Sequence, residues 1–104
     1  GEGGLALQSL LTLQLLLTLD ASAFEPHLHS IMPALVETSR SAKSARVRAT
    51  ALEGLLGITS QVPYSRLFPF RGLVNKGLIR ALDDRKKAVR FLAGKVRNKW
   101  VMIK

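Results

Sequence analysis

A chain of 104 residues with sixteen Lys/Arg against seven Asp/Glu, a formal net charge of +9, has room for one compact unit and favours acidic partners. Apolar residues make up 47% of it, which excludes a wholly disordered tail. The absence of cysteine excludes disulfides, a thiolate nucleophile and any Cys-ligated metal or iron–sulfur cluster in these residues.

The opening stretch "LALQSLLTLQLLLTLDASAF" has the apolar core and the small-residue Ala21-Ser22-Ala23 site of a secretory signal. However, its leading "GEGG" is acidic where a signal is basic. As a membrane span it is short and interrupted by Gln8, Ser9, Thr12, Gln14 and Thr18. It reads instead as a first helix, about Leu5 to Leu19, buried on most sides inside a larger stack. The start on Gly rather than Met reads as a fragment or a processed product, and the lack of Cys suits a reducing compartment.

A second helix is predicted from about Pro26, with Leu28, Ile31, Met32, Leu35 and Val36 forming a half-buried stripe and Pro33 expected to bend it. After the polar loop "SRSAKS", a third helix over Ala45–Ser60 lines up Val47, Ala51, Leu55 and Ile58. "QVPYS" breaks the pattern, with Ser65 a candidate N-cap. A fourth helix, about Arg66 to Leu82, groups Leu67, Phe70, Val74, Leu78 and Ala81. Asp83 and Asp84 are placed to cap a fifth, which aligns Val89, Leu92, Ala93, Val96, Trp100 and Ile103.

These helices repeat. Val47, Arg48 and Ala51 recur 42 residues later as Val89, Arg90 and Ala93, and "ALV" (34–36) has its counterpart in "GLI" (77–79). A helix-pair period of this size marks HEAT-type solenoids, in which no pair buries its apolar face alone and pairs stack. The expected fold is therefore all-α, a HEAT-type fragment of about five antiparallel helices. Residues 1–22 read as the second helix of a preceding repeat, 23–62 as one repeat and 63–104 as the final one. In such ladders Val sits in the core and Arg reaches an acidic loop residue of a neighbouring repeat, so Arg48 and Arg90 read as structural.

No active site emerges. Asp83 and Asp84 are adjacent and point apart, so they cannot share a proton. His27 and His29 do not share a helix face and lack a third ligand. Ser and Thr residues lack a base-and-orienter pair, and Gly72 and Gly77 form no phosphate loop. The expectation is a chain that is not an enzyme and carries no cofactor or metal.

The charge is uneven: residues 1–39 hold four acids and no Lys or Arg, whereas residues 66–104 hold twelve bases and two acids. On the fifth helix Lys87, Arg90, Gly94, Arg97 and Val101 share one flank, while Phe91, Lys95, Asn98 and Met102 lie opposite the core stripe. Apolar side chains on a basic face mark contacts. Arg85, Lys86, Lys87, Arg90, Phe91, Lys95 and Arg97 are therefore the candidate partner-binding residues. Nucleic acid is the rival partner, since phosphates would suit the charge, but no RNA-binding aromatic signature, groove-reading motif or zinc finger accompanies it.

The segments "MPALVETSRS", "VRATALEGLLGI", "VPYSRLFPF" and "GLIRALDDRKKAVRFLAGKVRNKW" resemble the extreme C-terminal HEAT repeats of the methyl-methanesulfonate-sensitivity-nineteen family. That family is the targeting adaptor of cytosolic iron–sulfur protein assembly. Ala81-Leu82-Asp83-Asp84, Arg85-Lys86-Lys87, Val89-Arg90, Ala93, Arg97 and Trp100 look like its closing motif; "SRLFPFRG" is longer than its usual connection. The resemblance implies a scaffold that docks iron–sulfur assembly targeting subunits: a small acidic-surfaced protein and, through it, a β-propeller. It also implies client apo-enzymes of DNA replication and repair, no membrane partner, and a location in cytoplasm and nucleus.

Overall fold

The computed structural model describes residues 25–103; the expected first helix over Leu5–Leu19 lies outside them. Among the described residues the architecture is all-α and HEAT-like. A 3₁₀ turn (Glu25–His27) leads into α1 (Leu28–Ser41), and α2 (Ala45–Gln61) follows after three residues. Short α3 (Tyr64–Leu67) and a second 3₁₀ turn (Phe68–Phe70) lead into α4 (Arg71–Leu82), and α5 (Lys87–Trp100) closes the set. None of these helices is long and apolar enough to cross a membrane.

α1 forms because Leu28, Met32, Leu35, Val36 and Ser39 recur on one face, all buried. It runs unbroken through Pro33, which stands inside the helix on its exposed side. α2 starts at Ser44, whose side chain accepts from the Val47 N–H at 3.4 Å. Its buried face comprises Arg48, Ala51, Leu52, Gly54, Leu55, Ile58 and Thr59. Buried Ser39 and Thr59 are satisfied locally, their hydroxyls donating to the Val36 and Leu56 carbonyls at 2.7 and 2.6 Å.

The expected continuous helix over Arg66–Leu82 is divided. Pro69 offers no N–H to the carbonyl of Ser65, so the chain tightens into the 3₁₀ turn before α4 begins. Leu67 and Phe70 still reach the core from their separate elements. Ser65 is not a cap; the residue before short α3 is Pro63, which has no capping side chain. α5 ends at Trp100 rather than Ile103, but Ile103 remains fully buried in the turn beyond it, where its carbonyl accepts from Arg71 Nη1 at 3.3 Å.

Packing follows the repeat. α1 lies on α2 and α4 on α5, and the two pairs stack with α1 against α4 and α2 against α5. At Gly77 α4 comes close against α1: a Cβ there would run into Val36 Cγ1. On the other side the Trp100 indole, fully buried, donates its Nε1–H to the Leu55 carbonyl at 3.0 Å. Apolar area and a satisfied polar tip thus tie the second pair to the first.

Candidate protein-docking surface

The recurring arginines show how the pairs are joined. Arg48 is only 7% exposed and donates from Nε and Nη2 to the two carboxylate oxygens of Asp84, at 2.7 and 3.0 Å. Its Nη1 donates to the carbonyls of Ala42 and Lys43, in the turn before its own helix. One arginine therefore clamps its own loop and, through a two-point ion pair, the loop of the next pair. The Arg48 guanidinium holds the Asp84 carboxyl below its ordinary value of 3.8; burial opposes this, and the Lys86 N–H, 2.9 Å from Oδ1, adds to it.

Arg90 repeats half of that arrangement. Its Nη1 donates to the carbonyls of Asp84 and Arg85, the positions 42 residues after Ala42 and Lys43. Among the described residues no carboxylate pairs with it, and it is exposed. The ladder expected at Arg48 is thus present, whereas Arg90 is structural only towards its own loop. Capping by Asp83 and Asp84 needs correction too: the residue before α5 is Lys86, no side chain caps that helix, and Asp84 is occupied by Arg48 and the Lys86 N–H.

All seven expected partner-binding residues lie on the surface of the second pair, in three groups. Arg85 and Lys86 are in the loop and Lys87 opens α5. Arg90 and Arg97 lie on the flank facing away from the first pair. Phe91, 64% exposed, and Lys95 lie on a lateral face, where the Lys95 ammonium sits 4.9 Å from the Phe91 ring centroid. That cation–π contact covers part of the ring that the sequence presents as bare. Three cations at the start of α5 oppose the positive end of its dipole.

A feature that reading helices one at a time misses is a groove of about 400 Å³ between α4 and α5, lined by Asn75, Ile79, Leu82, Arg97 and Val101. Ile79 is 68% exposed and Val101 48%. Shifting the buried first-pair residues by one repeat would have found it, because Val36 maps onto Ile79 and Leu55 onto Arg97. Among the described residues no group of three or more His, Cys, Asp or Glu could hold a metal ion.

Stacked helix pairs joined by an arginine–aspartate rung define the class: a HEAT-like helical-repeat segment. Three relatives give the family. The chain is 35% identical over 91% of its length to the MMS19 nucleotide excision repair protein homolog of Dictyostelium discoideum. It is 35% identical over 77% to the MMS19 nucleotide excision repair protein of Drosophila melanogaster, and 34% identical over 76% to the DNA repair/transcription protein mms19 of Schizosaccharomyces pombe. The chain belongs to the MMS19 family. It spans 8% of the length of each of these relatives, none of which bears a catalytic name. No family model matches it.

Proposed function

We propose that this segment is a non-catalytic docking scaffold in a DNA-repair-related protein, binding partners of the cytosolic iron–sulfur targeting complex that matures DNA-metabolism enzymes. The observation that carries the reading is the set of exposed cations on the second pair, Arg85, Lys86, Lys87, Arg90, Lys95 and Arg97, around exposed Phe91. Exposed cations that pair with no carboxylate among the described residues steer an acidic partner, and the neighbouring ring supplies apolar contact. Family membership supports the repair setting, since the relatives are named for nucleotide excision repair and for DNA repair/transcription. In this reading the two described helix pairs are part of a longer solenoid, acting in cytoplasm and nucleus on client apo-enzymes.

The test is charge reversal in the full-length protein. Lys87→Glu, Arg90→Glu and Arg97→Glu together are expected to abolish co-purification of the iron–sulfur assembly partners; unchanged recovery would refute the reading. A salt-sensitive shift of labelled DNA or RNA by the unaltered protein, lost in the triple variant, would give the surface to nucleic acid instead.

A further inference from the structure

The strongest unexplained feature is the flank by which the second pair would receive something stacked upon it. In the first pair that flank is the α2 stripe Arg48, Leu52, Leu55 and Thr59, all buried, with Arg48 and Leu55 hydrogen-bonded to Asp84 and Trp100 of the second pair. Forty-two residues on, the same stripe is Arg90, Gly94, Arg97 and Val101; Arg90, Arg97 and Val101 are exposed and Gly94 is half-buried. The first helices follow with a step of 43: Met32, Val36 and Ser39, all buried in α1, correspond to Asn75, Ile79 and Leu82, three of the groove's lining residues. The groove is therefore the position-by-position equivalent of the interface that joins the two pairs.

Its chemistry differs from that interface in ways that specify an occupant. Arg97 stands where Leu55 does, so a cover shaped like the second pair would bury its charge unpaired against apolar side chains. Asn75 stands where Met32 does, and its buried Oδ1 has no hydrogen-bond partner. Arg90 keeps the loop-facing half of the Arg48 clamp and leaves its Nε/Nη2 edge without a carboxylate among the described residues. The occupant that answers both arginines is acidic at two points and apolar between them, and the Asn75 Oδ1, an acceptor, would take an N–H or O–H from it. A second copy is a poor candidate, because residues 25–103 carry fifteen Lys/Arg against five Asp/Glu and would repel their like. The apolar floor of Ile79, Leu82 and Val101 favours side chains over a phosphate backbone.

We infer that this flank docks a helix of an acidic protein partner. The partner presents one Asp or Glu, from the turn before its helix, to Arg90, as Asp84 is presented to Arg48, and a second acid further along to Arg97. Apolar side chains between the two fill the groove over Ile79 and Val101. The inference rests on the reading of this end as a protein-docking surface, but not on the partner's belonging to iron–sulfur assembly.

The experiment places a photo-crosslinking phenylalanine analogue at Val101 of the full-length protein, irradiates in cells and sequences the joined peptide. The expected peptide comes from another protein and spans a turn and helix bearing an acid at each end. Arg90→Asp is expected to lower its yield by about tenfold or more, and Arg90→Lys to weaken it less, because a lysine keeps charge without the two-point grip. Exchanging the partner's first acid for Arg should restore capture by the Arg90→Asp protein. A joined peptide from elsewhere in the same polypeptide, from a second copy or from a non-acidic segment, a nucleic-acid adduct, no adduct, or a yield indifferent to residue 90 would each overturn the inference. If charge reversal spares the iron–sulfur partners while the unaltered protein captures this acidic peptide and Arg90→Asp lowers that yield, only the functional assignment falls.

Discussion

The two helix pairs use equivalent positions for opposite purposes. Arg48 and Leu55 lie under a neighbour, one in a two-point ion pair and the other against the Trp100 indole, whereas Arg90 and Arg97 stand in the open. Val36 seats itself on the bare backbone of Gly77, while its counterpart Ile79 seats on nothing described. A repeat position thus has no fixed worth: its contribution to stability depends on whether the next pair is there to cover it.

The sharpest way to break this comparison is to truncate both arginines. Arg48→Ala leaves half-buried Asp84 without its cation and the Ala42 and Lys43 carbonyls without their donor, and is expected to cost about 2–3 kcal/mol. Arg90→Ala loses only exposed bonds to its own loop and should cost about 0.5–1 kcal/mol. Denaturant unfolding followed through Trp100 fluorescence measures both, and equal losses would deny that one is covered and the other open. A smaller contrast comes from glycines. Gly77→Ala drives a methyl into Val36 and should cost about 1–3 kcal/mol. Gly94→Ala meets nothing within 4 Å and should stabilise α5 by about 0.5–1 kcal/mol through helix propensity alone. Thermal melts of the two variants should move in opposite directions.

Much of the fold was legible because core stripes recur every three or four residues: Leu28, Met32, Leu35, Val74, Leu78, Val89, Val96 and Trp100 are all buried where periodicity places them. The helix break at Phe68–Phe70 was missed because the apolar spacing of Leu67, Phe70 and Val74 outweighed the single missing N–H of Pro69. The Arg48 rung was legible in kind, as an arginine seeking a loop acid. Its partner was not, since a cap for α5 and a clamp for α2 ask for the same carboxylate at Asp84. For the site, the cations and Phe91 were plain from charge and spacing. The groove at Ile79 and Val101 was not, because it belongs to two helices at once and shows only when each position is read against its counterpart one repeat earlier.

The central claim is that the first pair grips the second through Arg48 and Asp84, and a double-mutant cycle tests it most directly. Unfolding free energies of the unaltered chain, Arg48→Ala, Asp84→Ala and the double variant give the coupling energy, measured at neutral pH and stepwise into acid. Asp84 titrates lower in the folded than in the unfolded chain, so its contribution is complete above the ordinary value of 3.8 and is lost as pH falls through the lower folded value. The predicted result is a coupling of about 1–3 kcal/mol at neutral pH that disappears over that acid range. Additive losses at neutral pH, or a coupling that persists once Asp84 is protonated, would contradict the account.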